Sequence, residues 1–319
     1  MKIDPALFLG SAISEETRRF NAEKVAELEA LPDSWSVPPA VVRELRAQGR
    51  GAFPMPPKCP RAQVLTIEGP HGPIQIRQIL PERGEPTGVY LHIHGGGWTF
   101  GSSDGQDDRL EEITRTTGAV ALSIEYRLAP ESPYPHGPDD CETAALWLFD
   151  QSPFAHLPVV IGGESAGAHL SVVTMVRLRD RHGMTPFSGA VLTAGCYDLS
   201  LTPSARNWGT EKLILNTRDI TNFVRCFLGA DGDAMPADIS PLRANLHALP
   251  RALFSVGTRD ALLDDSLFMA QRWLAAGNDA ELSIHPGGCH VFQAFPLEIS
   301  RQSNSEIDAF IRAAFAGKR

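Results

Sequence analysis

The sequence predicts an α/β fold, a mostly parallel sheet flanked by helices and carrying a helical cap. Three observations lead there. From Gly88 onward, short unbroken apolar runs alternate with amphipathic stretches, as parallel strands buried on both faces alternate with covering helices. Residues 1–55 show helical spacing punctuated by prolines and no strand signal, and read as an N-terminal helical cap segment. A polar, helix-like stretch at about 201–238 breaks the alternation and reads as an insertion that meets this segment. The remainder, 56–319, is the main domain, and 319 residues suffice for one large core or two modest ones.

Each element has its local reason. Ser14 followed by Glu15 and Glu16 is an N-cap with an acidic first turn, opening a helix to Leu31. Pro32, Pro38 and Pro39 punctuate, a short helix covers Val41–Ala47, and Pro54–Pro60 forms a stiff linker. Val64–Ile67 and Ile74–Leu80, split by Gly69-Pro-His-Gly72, read as two antiparallel strands. Strands are then expected at Gly88–Ile93, Ala119–Glu125, Pro158–Ile161, Gly189–Ala194, Ala252–Val256 and Glu281–His285. Helices are expected at Asp107–Thr117, Asp139–Phe149, Ala166–Arg179, Leu263–Ala275 and Asn304–Ala314.

Composition narrows the function. An apolar fraction of 43% and a charged fraction of 21% are those of an ordinary globular protein. A net charge of −9 without a Lys/Arg block argues against nucleic acid as a partner. Arg177–His182 reads instead as charge suited to the C-terminal pole of a helix. No apolar stretch reaches membrane-spanning length, and Met1-Lys-Ile-Asp-Pro5 lacks a secretory pattern, so a cytoplasmic protein without membrane insertion is expected. Cysteines 59, 141, 196, 226 and 289 are an odd, scattered set, expected as reduced and mostly buried thiols. A homodimer stays open as an assembly state.

Two glycine-rich motifs carry chemistry. Gly163-Glu164-Ser165-Ala166-Gly167 follows an apolar run and precedes a helix, as a turn holding a nucleophilic serine does. His94-Gly95-Gly96-Gly97-Trp98 ends the earlier strand, and such a loop offers bare backbone N–H groups to an oxygen that becomes negative on attack. G-x-S-x-G alone arises by chance in about one chain in ten of this size; the second motif is rarer by one to two orders of magnitude. Gly95, Gly96 and Ala166 are the expected donors, and His94 a residue that fixes the loop by hydrogen bonding.

A serine hydroxyl needs a base, and the base an orienting acid. His290 follows a strand and the glycines Gly287-Gly288, taken as mobile; His285 is the competitor but lies within the strand. Asp260 follows the preceding strand at the carboxyl edge of the sheet, where α/β sites form. Asp264, one helical turn on, is the chief rival acid and Asp265 a weaker one.

With these residues in place, the chain resembles the hormone-sensitive-lipase-like carboxylesterases of the α/β-hydrolase superfamily. The resemblance rests on His94–Trp98, Tyr126-Arg-Leu-Ala-Pro-Glu131, Gly163–Gly167 and Asp260-Ala-Leu-Leu-Asp264, and covers about residue 60 to the end. It implies an α/β-hydrolase catalytic domain with Ser165 as nucleophile, His290 as base, Asp260 as acid and Gly95, Gly96 and Ala166 as oxyanion hole. It also implies that Tyr126–Glu131 and Asp140 brace the loops around the site. Glu164 stands where the family has Asp or Thr, Ala261 where it has Pro, and Val291 where it has Gly.

The expected activity is hydrolysis of small-molecule esters with short to medium acyl chains, through an acyl-enzyme and without metal or cofactor. An amidase or arylformamidase with the same residues is the alternative, and a non-catalytic receptor a remoter one. Trp98, Phe100, Trp208 and Phe223 are candidate substrate-binding walls, with Phe20, Trp35 and Phe53 from the N-terminal segment. Cys289 adjoins His290, so an accessible thiol there would make the site sensitive to bulky thiol reagents.

Overall fold

Among the described residues, eight strands form one sheet in the order β1-β2-β4-β3-β5-β6-β7-β8. The structure, a computed structural model, describes residues 2–229 and 232–317. Strands β1 (Gln63–Ile67) and β2 (Ile74–Ile79) form the antiparallel edge, with Ile67 opposite Ile74. β2 also runs antiparallel to β4 (Ala119–Glu125). The pairs from there on, through β3 (Gly88–Ile93), β5 (Val159–Glu164), β6 (Gly189–Thr193), β7 (Ala252–Arg259) and β8 (Ala280–Cys289), are parallel.

Strand alternation builds a core on each face. Val89, Leu91 and Ile93 of β3 join a cluster with α4 (His136–Asp150), α5 (Ala166–His182) and α8 (Leu263–Ala275). Tyr90 of β3, Val160 of β5 and Val191 of β6 point the other way, against α3 (Asp107–Thr117) and α9 (Glu298–Phe315). The carboxyl ends of the parallel strands therefore share one rim, the place where an α/β sheet holds its site.

Ser14 caps the first α-helix as expected, accepting the Thr17 N–H at 3.1 Å, and α1 runs Glu15–Ala30, followed by α2 (Pro39–Ala47). The 201–238 stretch holds α6 (Pro203–Asn207) and α7 (Thr217–Leu228), and no strand among its described residues. It meets the N-terminal segment directly. The Trp35 indole donates to Asp219 at 2.7 Å, Arg218 pairs with Asp33 at 2.8 Å, and Trp35 packs edge-on against Phe223. No helix among the described residues is long and apolar enough to cross a membrane.

One expectation is corrected. Gly287 and Gly288 are not a mobile hinge after a strand ending at His285; β8 continues through them to Cys289. A Cβ on Gly257 would lie 1.9 Å from the Gly288 carbonyl oxygen, so β7 and β8 approach too closely for side chains there.

Candidate active site

The serine turn is shaped by what lies beneath it. A Cβ at Gly163 or Gly167 would come within 2.1 or 1.9 Å of the Ile93 carbonyl oxygen, so both flanking positions must be glycine for β5 and α5 to pack on the end of β3. Between them Ser165 takes φ 56° and ψ −120°, a sparsely populated conformation held by its N–H bond to the Thr193 carbonyl at 2.9 Å. The side chain is thereby lifted to the rim of the sheet.

His290 reaches it from the end of β8. Its Nε2 lies 2.9 Å from Ser165 Oγ, and its Nδ1 lies 3.0 Å from both carboxylate oxygens of Asp260. Asp260 is 2% exposed and also accepts the Leu262 N–H at 2.9 Å. Asp260 is thus the acid in contact with this histidine. Asp264 instead accepts the Ser204 N–H at 2.8 Å, and Asp265 accepts the N–H groups of Tyr197 and Asp198 and the Thr202 hydroxyl. The His285 Nε2 faces Ser283, 3.0 Å away. Beneath the His290 turn, Asn21 of α1 donates to the Gly287 carbonyl at 2.8 Å.

The glycine loop divides its N–H groups. Gly95 N–H donates to Glu164 Oε1 at 2.6 Å, so this expected oxyanion donor is already engaged. Glu164 Oε2 meets His92 Nε2 at 3.1 Å, and His92 Nδ1 meets Ser123 Oγ at 2.9 Å, which ties the loop to β3 and β4. The N–H groups of Gly96, Gly97 and Ala166 carry no hydrogen bond among the described residues, and all three residues border the cavity holding Ser165.

The loop is anchored by its aromatic and histidine neighbours. His94 donates from Nδ1 to the Gly95 carbonyl at 2.9 Å and stacks on Tyr126, whose hydroxyl donates to the His94 carbonyl at 3.0 Å. Burial lowers the His94 pKa below the ordinary imidazole value. The Trp98 indole donates to His169 Nδ1 at 3.1 Å, and His169 Nε2–H donates to the Ile239 carbonyl at 2.7 Å. That tautomer needs a neutral ring, and burial brings the His169 pKa down to about 4. The Tyr126–Glu131 stretch braces the same loop, through Ala129 N–H to the Trp98 carbonyl at 2.8 Å and Arg127 paired with Asp140.

The cavity measures about 680 Å³, within the range of small-molecule sites. From the N-terminal segment, residues 51–56 line it; from the 201–238 stretch, Ile214, Leu215, Ile220 and Phe223. It continues down the sheet past Tyr90, His92 and Val191, between β3, β6 and the α3–α9 pair. Of the expected walls, Phe223 and Phe53 line it. Trp98 borders it, but its side chain is 3% exposed and packs on Phe227.

Two expected walls are corrected. Phe100 is 1% exposed, buried between Phe223 and the Arg46 guanidinium. Trp208 lies under the Arg259 guanidinium and donates to the Glu211 carbonyl, outside the cavity lining. Phe20 and Trp35 likewise pack on Phe295 and Phe223. Cys289 is buried beside His290, and burial raises its pKa to about 12.

With this geometry in hand, comparison with known proteins assigns the family. The profile described as alpha/beta hydrolase fold matches residues 90–294. The chain belongs to that family, on its hormone-sensitive-lipase-like branch. The chain is 36% identical to the carboxylic ester hydrolase LipN of Mycobacterium tuberculosis over 72% of this chain and 64% of LipN, slightly under two thirds of that relative's length. It is 32% identical to the esterase LipI of the same organism, over 80% of this chain and 82% of LipI. Among solved structures, an esterase of Pyrobaculum calidifontis superposes with TM-score 0.81 at 29% identity, over 94% of this chain and 98% of that one. An esterase from the bacterial hormone-sensitive lipase family superposes with TM-score 0.82 at 28% identity, over 95% and 99%.

Proposed function

We propose that this hydrolase cleaves carboxylic esters with short to medium acyl chains by a serine mechanism, in the cavity that holds Ser165. The observation that carries the reading is the unbroken chain Ser165 Oγ–His290–Asp260, with separations of 2.9 and 3.0 Å. Ser165 attacks the ester carbonyl while His290 Nε2 takes its proton, and Asp260 holds the Nδ1–H tautomer and stabilises the imidazolium. The negative oxygen is received by the N–H groups of Gly96, Gly97 and Ala166, each worth about 3–4 kcal/mol to the transition state. Gly95, read from sequence as a donor, instead fixes the loop through Glu164. His290 then gives its proton to the leaving alcohol, and water activated by the same base releases the acid. In this reading residues 1–55 and the 201–238 insertion form the cap that sets acyl and alcohol preference.

Replacing Ser165 with Ala is expected to lower kcat on p-nitrophenyl butyrate by about 10⁴ or more. A variant keeping a tenth of the activity, or a wild type that a fluorophosphonate fails to label at Ser165, would overturn the mechanism. Matched ester and amide substrates separate an esterase from an amidase through kcat/KM.

A further inference from the structure

Four cations line the cavity: Arg43, Arg46, Lys58 and Arg109. Three are ion-paired, Arg43 with Glu131, Lys58 with Asp104, and Arg109 with Asp308. The Arg46 guanidinium has neither a carboxylate partner nor a hydrogen bond among the described residues. Its guanidinium carbon lies 4.1 Å from the Phe100 ring centroid, and its stem passes beside Gly51, where a Cβ would come within 3.1 Å.

Asp219 acts on Arg46 only through its field, its oxygens being taken by the Trp35 indole and the Asn216 N–H. Other carboxylates of the wall are engaged too: Glu112 with Arg115, and Glu164 with Gly95. Burial lowers the Arg46 pKa to about 10, so the group remains charged near neutrality. A half-buried guanidinium stacked on an aromatic face, with no carboxylate of its own, keeps its donor fork open to a ligand, and that fork matches a carboxylate.

Its position relates it to the chemistry. Phe100 is fully buried, and a Cβ on Gly96 would lie 2.3 Å from the Phe100 carbonyl oxygen, so the ring beneath Arg46 belongs to the loop bearing the proposed oxyanion donors. We propose that Arg46 forms an anion subsite of this cavity, and that the substrate class is esters carrying a free carboxylate, held on the guanidinium while the ester carbonyl lies at Ser165. This rests on the ester-hydrolase reading of the cavity above.

The test compares anionic and neutral members of matched pairs. Mono-p-nitrophenyl glutarate against p-nitrophenyl valerate places the carboxylate on the acyl side; 4-butyryloxybenzoate against its methyl ester places it on the alcohol side. In wild type, kcat/KM is expected to favour the anionic member of one pair, and that pair assigns the side. Arg46→Met is expected to lower the anionic-to-neutral ratio about tenfold or more, the scale of a lost charge-assisted hydrogen bond, with Arg46→Lys in between.

A ratio that stays within twofold in Arg46→Met overturns the proposal. Should that variant fail to fold, inhibition of wild type decides: glutarate competing with p-nitrophenyl valerate, and doing so better than dimethyl glutarate, supports the subsite, and no competition overturns it. Failure of wild type to cleave any of the four esters would refute the ester-hydrolase reading itself.

Discussion

Glu164 offers the sharpest test of how the glycine loop is held. Its Oε1 accepts the Gly95 N–H at 2.6 Å, and its Oε2 faces His92. A hydrogen bond to a charged acceptor contributes about 1.5–3 kcal/mol. Glu164→Ala removes the acceptor and leaves Gly95 N–H to turn with the loop, away from the arrangement that presents Gly96 and Gly97. At about 1.4 kcal/mol per tenfold, kcat should fall roughly 10- to 150-fold, while KM changes little because the loss falls on the transition state. Glu164→Gln retains an oxygen for Gly95 and sets its amide against His92 Nε2, so it should stay within about threefold of wild type by the same accounting. Steady-state kinetics on p-nitrophenyl butyrate, with thermal unfolding of each variant as a control, read the result. A Glu164→Ala enzyme within threefold of wild type refutes the tether, and a Gln variant as slow as Ala shows that charge matters rather than the loop bond.

Two further outcomes follow from buried groups. Because the His169 pKa falls from 6.5 in the unfolded chain to about 4 when folded, the unfolded state binds the extra proton first as pH drops. Stability is therefore lost as pH falls from 6.5 toward 4, with about 2 kcal/mol gone between pH 7 and pH 5 from this group. Urea unfolding should show His169→Gln, which keeps both hydrogen-bonding roles, losing less stability over that range; equal pH dependence in both proteins contradicts the assignment. At Cys289, a pKa near 12 leaves the thiol with about 10³-fold less thiolate than the ordinary value of 9.0 would give. Iodoacetamide on the native enzyme should spare Cys289 and activity while reaching half-buried Cys226, and time-dependent inactivation tracking Cys289 alkylation would refute that.

The parts of this fold that periodicity controls were legible in advance. Strand β3 alternates Val89, Leu91 and Ile93 against Tyr90 and His92, and the helices on either side carry matching apolar stripes. The end of β8 was not legible, because adjacent glycines look like a break when the strand they approach is out of view. At the candidate site, Ser165, Asp260 and His290 were readable because each follows a strand and all strand ends share one rim. The division of N–H groups was hidden: Glu164 meets Gly95 across 69 positions, and nothing local to either residue announces it. Aromatic wall residues were equally opaque. Phe100 and Phe223 have the same chemistry, and only the packing of the 201–238 stretch on the N-terminal segment decides which faces the cavity.

The bond from Asn21 to Gly287 has a temporal consequence. It joins positions 266 apart, and Glu16 similarly accepts the Glu298 N–H that opens α9. On a ribosome adding about 5–20 residues per second, roughly 15 to 50 s separate the emergence of α1 from that of its docking surface. Through that interval the first helix has no native seat, and the histidine turn, when it arrives, is met by a segment made long before. Maturation of the site is therefore tied to synthesis of β8 and the start of α9, with α1 waiting to clasp them.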